Sequence, residues 1–316
     1  MAARKIIAVL GATGAQGGGL ARSLLEAPDG EFAVRALTRN PWSDRARALA
    51  EAGAEVVAAD LADPDSVRRA FEGAYGAYCV TFFWHHLSPD REREEARALA
   101  EAARATGLEH VVWSTLEDTR RWVPVDDDRM PTLHGRYKVP HFDAKGEADA
   151  FFRDAGVPTT FLLTSFYWDN LIHFGLGPRT GPDGRLRLAL PIGERALPGI
   201  AAEDIGRCAH GIFRRGPTLA GERIGIAGGH LSGTQMAAGL AGALGREVLY
   251  EAVPFEAFRS LGFPGADDLA NMFRFNHEFS DAFCAARSLE TSRALNPQLQ
   301  TYEQWLAAHA HEIPVG

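Results

Sequence analysis

The sequence predicts an α/β fold: a doubly wound parallel sheet with a smaller α+β second domain, mostly C-terminal. Three observations predict it. The apolar run Ile6-Ile7-Ala8-Val9-Leu10 breaks into glycines spaced three apart, Gly11, Gly14 and Gly17, and then into Leu20-Ala21-Arg22-Ser23-Leu24-Leu25, which reads as strand, tight turn, helix. The unit of strand, helix, glycine and strand then recurs through the first half, as in parallel sheets covered by helices on both faces. With 316 residues and 46% hydrophobic content, the chain sits just above the size at which single cores split.

The elements follow in order. Residues 32–38 read as the second strand, 44–52 as a helix closed by Gly53, and 55–59 as the third strand. In the turn Asp60-Leu61-Ala62-Asp63-Pro64, Asp63 suits an N-cap and Pro64 the first helical position of a helix reaching about residue 72. Residues 75–81 form the fourth strand. Residues 91–106 form a long helix with Ala96, Leu99, Ala100 and Ala103 on one face, and Gly107 leads from it into a strand over 110–114. The run Arg91-Glu92-Arg93-Glu94-Glu95 reads as its solvated face. A further helix and strand flank Gly156. The first domain is expected over 1–165 with a return segment near 195–228, and the second, partly interleaved, over 166–316.

Composition excludes several classes. A formal net charge of −8, from 33 basic and 41 acidic residues, gives no broad attraction to nucleic acid or anionic lipid. Cys79, Cys208 and Cys284 form no Cys-x-x-Cys pair, so neither a disulfide framework nor a thiolate zinc site is indicated. No apolar stretch approaches the roughly 20 residues that span a bilayer. The opening Met1-Ala2-Ala3-Arg4-Lys5 leads into a strand rather than a signal sequence. A cytoplasmic protein is expected, as a monomer or homodimer.

The glycine turn is the arrangement a dinucleotide site needs. Gly11 allows the turn, Gly14 lets the backbone approach a pyrophosphate, and Gly17 lets the helix pack on the sheet, while free amides at the helix start face the anion. Ligands of such sheets lie beyond the carboxyl ends of the strands. The second strand ends Thr38-Arg39-Asn40-Pro41, where an NAD site usually carries a carboxylate. Arg39 instead offers a guanidinium to a 2′-phosphate, which favours NADP(H); otherwise it is an exposed arginine at a loop entrance. Asp60 either reaches the adenine or forms the turn. Thr81, Phe82 and Phe83 are placed to line the ribose and nicotinamide channel. Adjacent His85 and His86, with no spaced third ligand, make a poor chelator, and no metal is expected.

Several separated stretches, taken in order, carry a resemblance. Gly11-Ala12-Thr13-Gly14-Ala15-Gln16-Gly17-Gly18, Thr38-Arg39-Asn40-Pro41, His141-Phe142-Asp143-Ala144-Lys145-Gly146-Glu147, Tyr167-Trp168-Asp169-Asn170 and Leu261-Gly262-Phe263-Pro264-Gly265-Ala266 through Asn271-Met272-Phe273 resemble the NmrA-like family, the atypical branch of the short-chain dehydrogenase/reductases, and its NADPH-sensing members most. The resemblance implies a Rossmann domain binding NADP(H). It also implies contacts to the cofactor from Gly11, Ala12, Thr13, Gly14, Ala15, Gln16, Arg39, Lys145, Tyr167, Trp168, Asp169 and Asn170; Gly17, Asn40, Asp60, Leu61, Thr81, Phe82 and Phe83 join the expected cofactor site by their position alone.

Ordinary members of that superfamily use a serine, a tyrosine and a lysine four residues after the tyrosine, so that the ammonium lowers the phenol's pKa and the phenol protonates a carbonyl. Here Ser114 ends the fifth strand and Lys145 occupies the lysine place, but the tyrosine place is His141. Tyr137 is no substitute, because Pro140 disfavours helix before it. His141 either acts as an acid in its own right or is structural; Lys145 reads best as a donor to the nicotinamide ribose. Two functions therefore remain. The missing tyrosine favours a redox sensor whose NADP(H) occupancy alters a surface read by protein partners; the alternative is an NADPH-dependent reductase of a quinone, enone or carbonyl compound.

The segment 115–140, long and without periodicity, is either a lid over the nicotinamide or a disordered surface loop. In the second half, residues 178–193 read as a turn between short extended pieces outside the main sheet, and 203–213 as a helix whose Asp204 caps or pairs structurally. Ser232-Gly233-Thr234-Gln235 and Thr301-Tyr302-Glu303-Gln304 match capping boxes. Phe258, Phe263, Phe273 and Phe275 are either core or the wall of an apolar cleft.

Overall fold

The computed structural model describes residues 4–315, so Met1 to Ala3 of the opening stretch lie outside the described residues. The first half contains β1 (Lys5–Val9), α1 (Ala15–Leu25), β2 (Phe32–Thr38), α2 (Asp44–Glu51), β3 (Glu55–Ala58), α3 (Pro64–Phe71), β4 (Gly76–Cys79), α4 (Pro89–Ala105), β5 (His110–Thr115), α5 (Pro140–Ala155) and β6 (Thr159–Leu163). Next come β7 (Phe166–Tyr167), α6 (Asn170–His173), β8 (Arg179–Thr180), β9 (Leu186–Leu190), β10 (Leu197–Ile200), α7 (Ala202–Arg215), β11 (Arg223–Gly225) and β12 (Gly229–Leu231). The chain finishes with α8 (Gly233–Leu244), β13 (Val248–Ala252), α9 (Phe255–Arg259), α10 (Ala266–Glu278), α11 (Ser280–Ala285), α12 (Leu289–Leu295) and α13 (Tyr302–His309).

Seven parallel strands form the main sheet in the order β11-β6-β5-β4-β1-β2-β3. The order reverses beside β1, which opens a crevice at the carboxyl ends of β1 and β4. One face buries Leu20, Leu24, Ile205, Ile212 and Phe213 from α1 and α7; the other buries Val67, Phe71, Leu99 and Phe152 from α3, α4 and α5. Helices α1 and α7 touch backbone to backbone. A Cβ on Gly206 would stand 2.0 Å from the Leu20 amide nitrogen, and one on Gly19 would stand 2.5 Å from the Glu203 carbonyl. Only glycine fits there, and the contact fixes the tilt of α1.

Two three-stranded sheets, β12-β10-β7 and β13-β9-β8, belong to the smaller domain. Its core holds Trp168, Leu188, Leu240, Phe258, Phe273, Phe275 and Trp305, while Phe263 is 37% exposed. Local signals work as expected where they are strong. Asp63 caps α3 with Pro64 in its first turn, and Ser232 with Gln235 and Thr301 with Gln304 form complete capping boxes. Helix α4 starts earlier than its periodicity indicates, because Ser88 accepts from the Arg91 amide and Pro89 sits in the first turn. Among the described residues, no helix is long and apolar enough to cross a membrane.

The segment 115–140 is packed rather than loose. Val123 and Val139 are fully buried, and the Lys138 ammonium donates to the Asp127 and Met130 carbonyls and to Thr132 Oγ1. The Asp143 carboxylate accepts from the Thr119 amide and hydroxyl and from the amides of Lys138 and Val139. Asn271 of α10 donates to the carbonyls of Pro131 and Lys138. A segment held from both domains presents α5, which begins at Pro140, in one orientation.

Candidate active site

Gly11 has φ of +60°, and its carbonyl accepts from the Gly14 amide at 2.8 Å. A Cβ on Gly17 would stand 2.4 Å from the Leu10 carbonyl oxygen, so a side chain there would push α1 off the strand. Gly14 is the N-cap of α1 with no side-chain cap, and the first turn carries no acid. The amides of Ala15, Gln16 and Gly17 are left for an external anion. The cradle therefore fits a dinucleotide pyrophosphate.

Beyond β2 the Arg39 guanidinium is exposed, 3.5 Å from His85 Nε2. Arg45 of α2 donates to the Thr13 carbonyl at 3.3 Å, which brings a second guanidinium to the glycine turn. Neither has a carboxylate partner among the described residues. Arg45 was not singled out in the sequence, although it stands on the first turn of the helix following Arg39. Asn40 serves its own turn, accepting from the Trp42 amide at 3.0 Å. Asp60 accepts from the Ala62 amide at 3.0 Å and so forms its turn, and Leu61 packs on the core.

Gln16 points down into the sheet as a hub. Its amide donates to the Tyr167 hydroxyl, and its carbonyl accepts from the hydroxyls of Tyr78 and Ser114, the latter at 2.8 Å. Ser114, at the place of the superfamily's serine, thus donates its hydroxyl hydrogen to Gln16. Trp168, expected at the cofactor, has its indole buried in the second core, tilted against Tyr302 at 5.2 Å between ring centroids. Asp169 accepts from the Ala202 amide at 2.8 Å and so caps α7. Ala12 is buried, Thr13 and Asn170 are partly exposed, and Ala15 is exposed in the first turn of α1.

At the end of β4, Phe82 is 59% exposed while Phe83 is buried. Thr81 is buried against Lys145, whose ammonium donates to Thr81 Oγ1 at 2.6 Å and lies 2.7 Å from Glu92 Oε1. Glu92 is fully buried, which corrects the reading of 91–95 as a uniformly solvated face. Burial pushes its carboxyl up, but Lys145, with hydrogen bonds from His86, Lys145 and Thr81, overrides burial and leaves it at about 2. The signal was present: one turn before Ala96, Glu92 extends the apolar stripe of α4.

His86, Glu92 and Glu95 offer three ligand-type atoms within 4.8 Å of one another. The tautomer argues against a metal. His86 Nδ1 accepts from the Ser88 amide at 3.1 Å, so the ring proton sits on Nε2, the atom that faces Glu92 at 3.5 Å and Glu95 at 3.7 Å.

One turn before Lys145 on α5, His141 is held by Asp268 of α10. Its Nδ1–H donates to Asp268 Oδ1 at 2.6 Å and its main-chain amide donates to Oδ2 at 3.0 Å. The carboxylate fixes the tautomer and leaves Nε2, which has no hydrogen-bond partner among the described residues and is open to solvent. Trp84, Phe83 and Phe142 surround the ring at 4.8, 5.8 and 4.7 Å between centroids. Asp268 carries no local signal that ties it to His141; only the packing of α10 on α5 supplies it.

A seven-stranded parallel sheet with a glycine turn at its switch point, beside a small second domain, defines a dinucleotide-fold protein. The chain belongs to the NmrA-like family, whose model matches residues 3–306. It is 30% identical to the NmrA-like family domain-containing oxidoreductase FrzB of Cladobotryum sp, over 92% of this chain and 89% of that protein. The crystal structure of NmrA, a negative transcriptional regulator, superposes with TM-score 0.77 at 24% identity, covering 96% of this chain and 95% of that one. Triphenylmethane reductase of Citrobacter sp., complexed with NADP(H), superposes with TM-score 0.74 at 18% identity, covering 97% and 99%.

Proposed function

We propose that the chain is an NADPH-dependent reductase of a quinone, enone or carbonyl compound, with His141 as its proton donor. The observation that carries this reading is the Asp268–His141 pair, one helical turn from Lys145. The residues of the turn from Gly11 to Gly17 would hold the pyrophosphate, and Arg39 and Arg45 the 2′-phosphate. Lys145 and Thr81 would meet the nicotinamide ribose. The bound cofactor supplies a hydride. His141 contributes the other half of the reduction: with Nδ1–H committed to Asp268, protonated Nε2 donates to a substrate oxygen, and the carboxylate stabilises the imidazolium until the proton leaves. The rings of Phe83, Trp84 and Phe142 pack around the imidazole and hold its orientation. The names of the curated relatives and the NADP(H) complex of the triphenylmethane reductase support the reading. Three unpaired thiols, Cys79, Cys208 and Cys284, fit a reducing, cytoplasmic setting.

A second reading is a redox sensor that holds NADP(H) without turnover and shows its occupancy to a protein partner. It is favoured by Lys145, whose ammonium is already neutralised by Glu92 rather than free to activate a proton donor. One experiment separates the two: bound NADPH is followed by absorbance against a panel of quinones, enones and aldehydes, with His141→Phe and Lys145→Ala alongside. Oxidation that needs the native protein and fails in His141→Phe supports the reductase. Tight binding without protein-dependent oxidation supports the sensor.

A further inference from the structure

We propose that the chain carries a second small-molecule site, apart from the glycine turn, that binds a planar aromatic carboxylate. A cavity of about 260 Å³ lies at the outer side of the main sheet, between the stretch 117–122, edge strand β11 and helix α11. Its walls are aromatic. Trp122 meets Phe275 edge to face at 5.7 Å, Phe275 meets Phe279 at 5.1 Å, and Phe283 closes the same side. Rings in this arrangement accept a flat apolar guest on their faces and edges.

The charges at the cavity select the guest's sign. Both Glu117 oxygens are held by Arg287, at 2.7 and 2.9 Å, and both Asp118 oxygens by Arg120, at 2.7 and 2.8 Å. Arg223 is paired with Asp149. Arg121 lines the cavity and is exposed, and its guanidinium has no ion-pair or hydrogen-bond partner among the described residues. A free guanidinium fork at the rim of an aromatic box suits a carboxylate, which it can bind through two parallel hydrogen bonds.

The site does not rest on the reductase reading. None of its lining residues belongs to the glycine turn, the Arg39 region or the His141 pair. Phe142 stands between, stacking on Phe283 at 6.2 Å on one side and meeting His141 at 4.7 Å on the other.

The test is titration of the full chain, saturated with NADPH, with 2-naphthoate, followed by calorimetry and by tryptophan fluorescence. Binding is expected, with 2-naphthol roughly tenfold weaker or worse. Arg121→Gln should weaken 2-naphthoate by roughly tenfold, and Ala282→Phe, which fills the cavity from an exposed position, should abolish binding. Both variants should keep the parent's circular dichroism and NADPH affinity. Failure of 2-naphthoate to bind at millimolar concentration, or binding by both variants as tight as the parent's, would overturn the proposal.

Discussion

His141 and Asp268, 127 residues apart in the chain, are joined by two hydrogen bonds: ring Nδ1–H to Oδ1 at 2.6 Å and main-chain amide to Oδ2 at 3.0 Å. One carboxylate thereby sets the position of α5 and the tautomer of its histidine. Asp268→Asn should lower kcat by about 10²-fold, within the range for a positioned proton donor, and leave NADPH affinity unchanged. Asp268→Glu, which keeps a carboxylate at the pair, should recover part of the rate. A parent-like kcat in Asp268→Asn would show that the pair is only structural.

Arg45 reaches the glycine turn and Arg39 follows the end of β2, and among the described residues neither has a carboxylate partner. Arg39→Ala should cost about 1.5–3 kcal/mol of NADPH affinity, the range for hydrogen bonds to charged groups, with NADH affinity unchanged. Arg45→Ala should show the same selectivity with a smaller loss. Titration of both nucleotides by fluorescence or calorimetry measures it; equal losses for NADPH and NADH would remove the 2′-phosphate role.

Glu92 ties stability to pH. Its carboxyl lies at about 2 in the folded chain against an ordinary 4.5, so its contribution, about 3 kcal/mol, is fully present above the ordinary value. That contribution is lost as pH falls through about 2. Glu92→Gln leaves Lys145 buried without its counter-charge and should cost about 3–5 kcal/mol at neutral pH, with a shallower loss on acidification. Urea unfolding at several pH values reads both.

Lys138 anchors the segment 115–140 through three acceptors. Lys138→Met should leave those acceptors unsatisfied at a cost of about 1–3 kcal/mol and speed limited proteolysis within 124–137. In the parent that cleavage should be slow with or without NADPH, because Asp143 and Asn271 pin the segment through protein contacts. Marked protection by NADPH would instead show a segment that closes on the cofactor.

Gly17 and Gly206 are sensitive to one methyl group. Gly17→Ala places a Cβ 2.4 Å from the Leu10 carbonyl, and Gly206→Ala one 2.0 Å from the Leu20 nitrogen. Each should destabilise by about 1–3 kcal/mol or more, and Gly17→Ala should also weaken NADPH by displacing the amides of α1. Thermal unfolding with and without NADPH separates the two effects.

The sequence by itself determined what depends on neighbours in the chain. The βα units, the glycine turn, the Asp63-Pro64 start of α3 and the two capping boxes were legible, because strand period, helix period and caps act over a few residues. The place of Arg39 at the end of β2 followed from the same local grammar. Tertiary structure decided what joins distant segments. Whether Glu92 faced water or Lys145, which group the Ser114 hydroxyl met, and whether the Trp168 indole was exposed or filled a core depended on which surfaces packed together. Asp268 reaches His141 only because α10 packs on α5 at the close of a long loop, whose entropy is repaid by burial of the second core rather than by any motif. The pairing of His141 with Asp268 therefore belongs to the fold, and the cofactor cradle to the sequence.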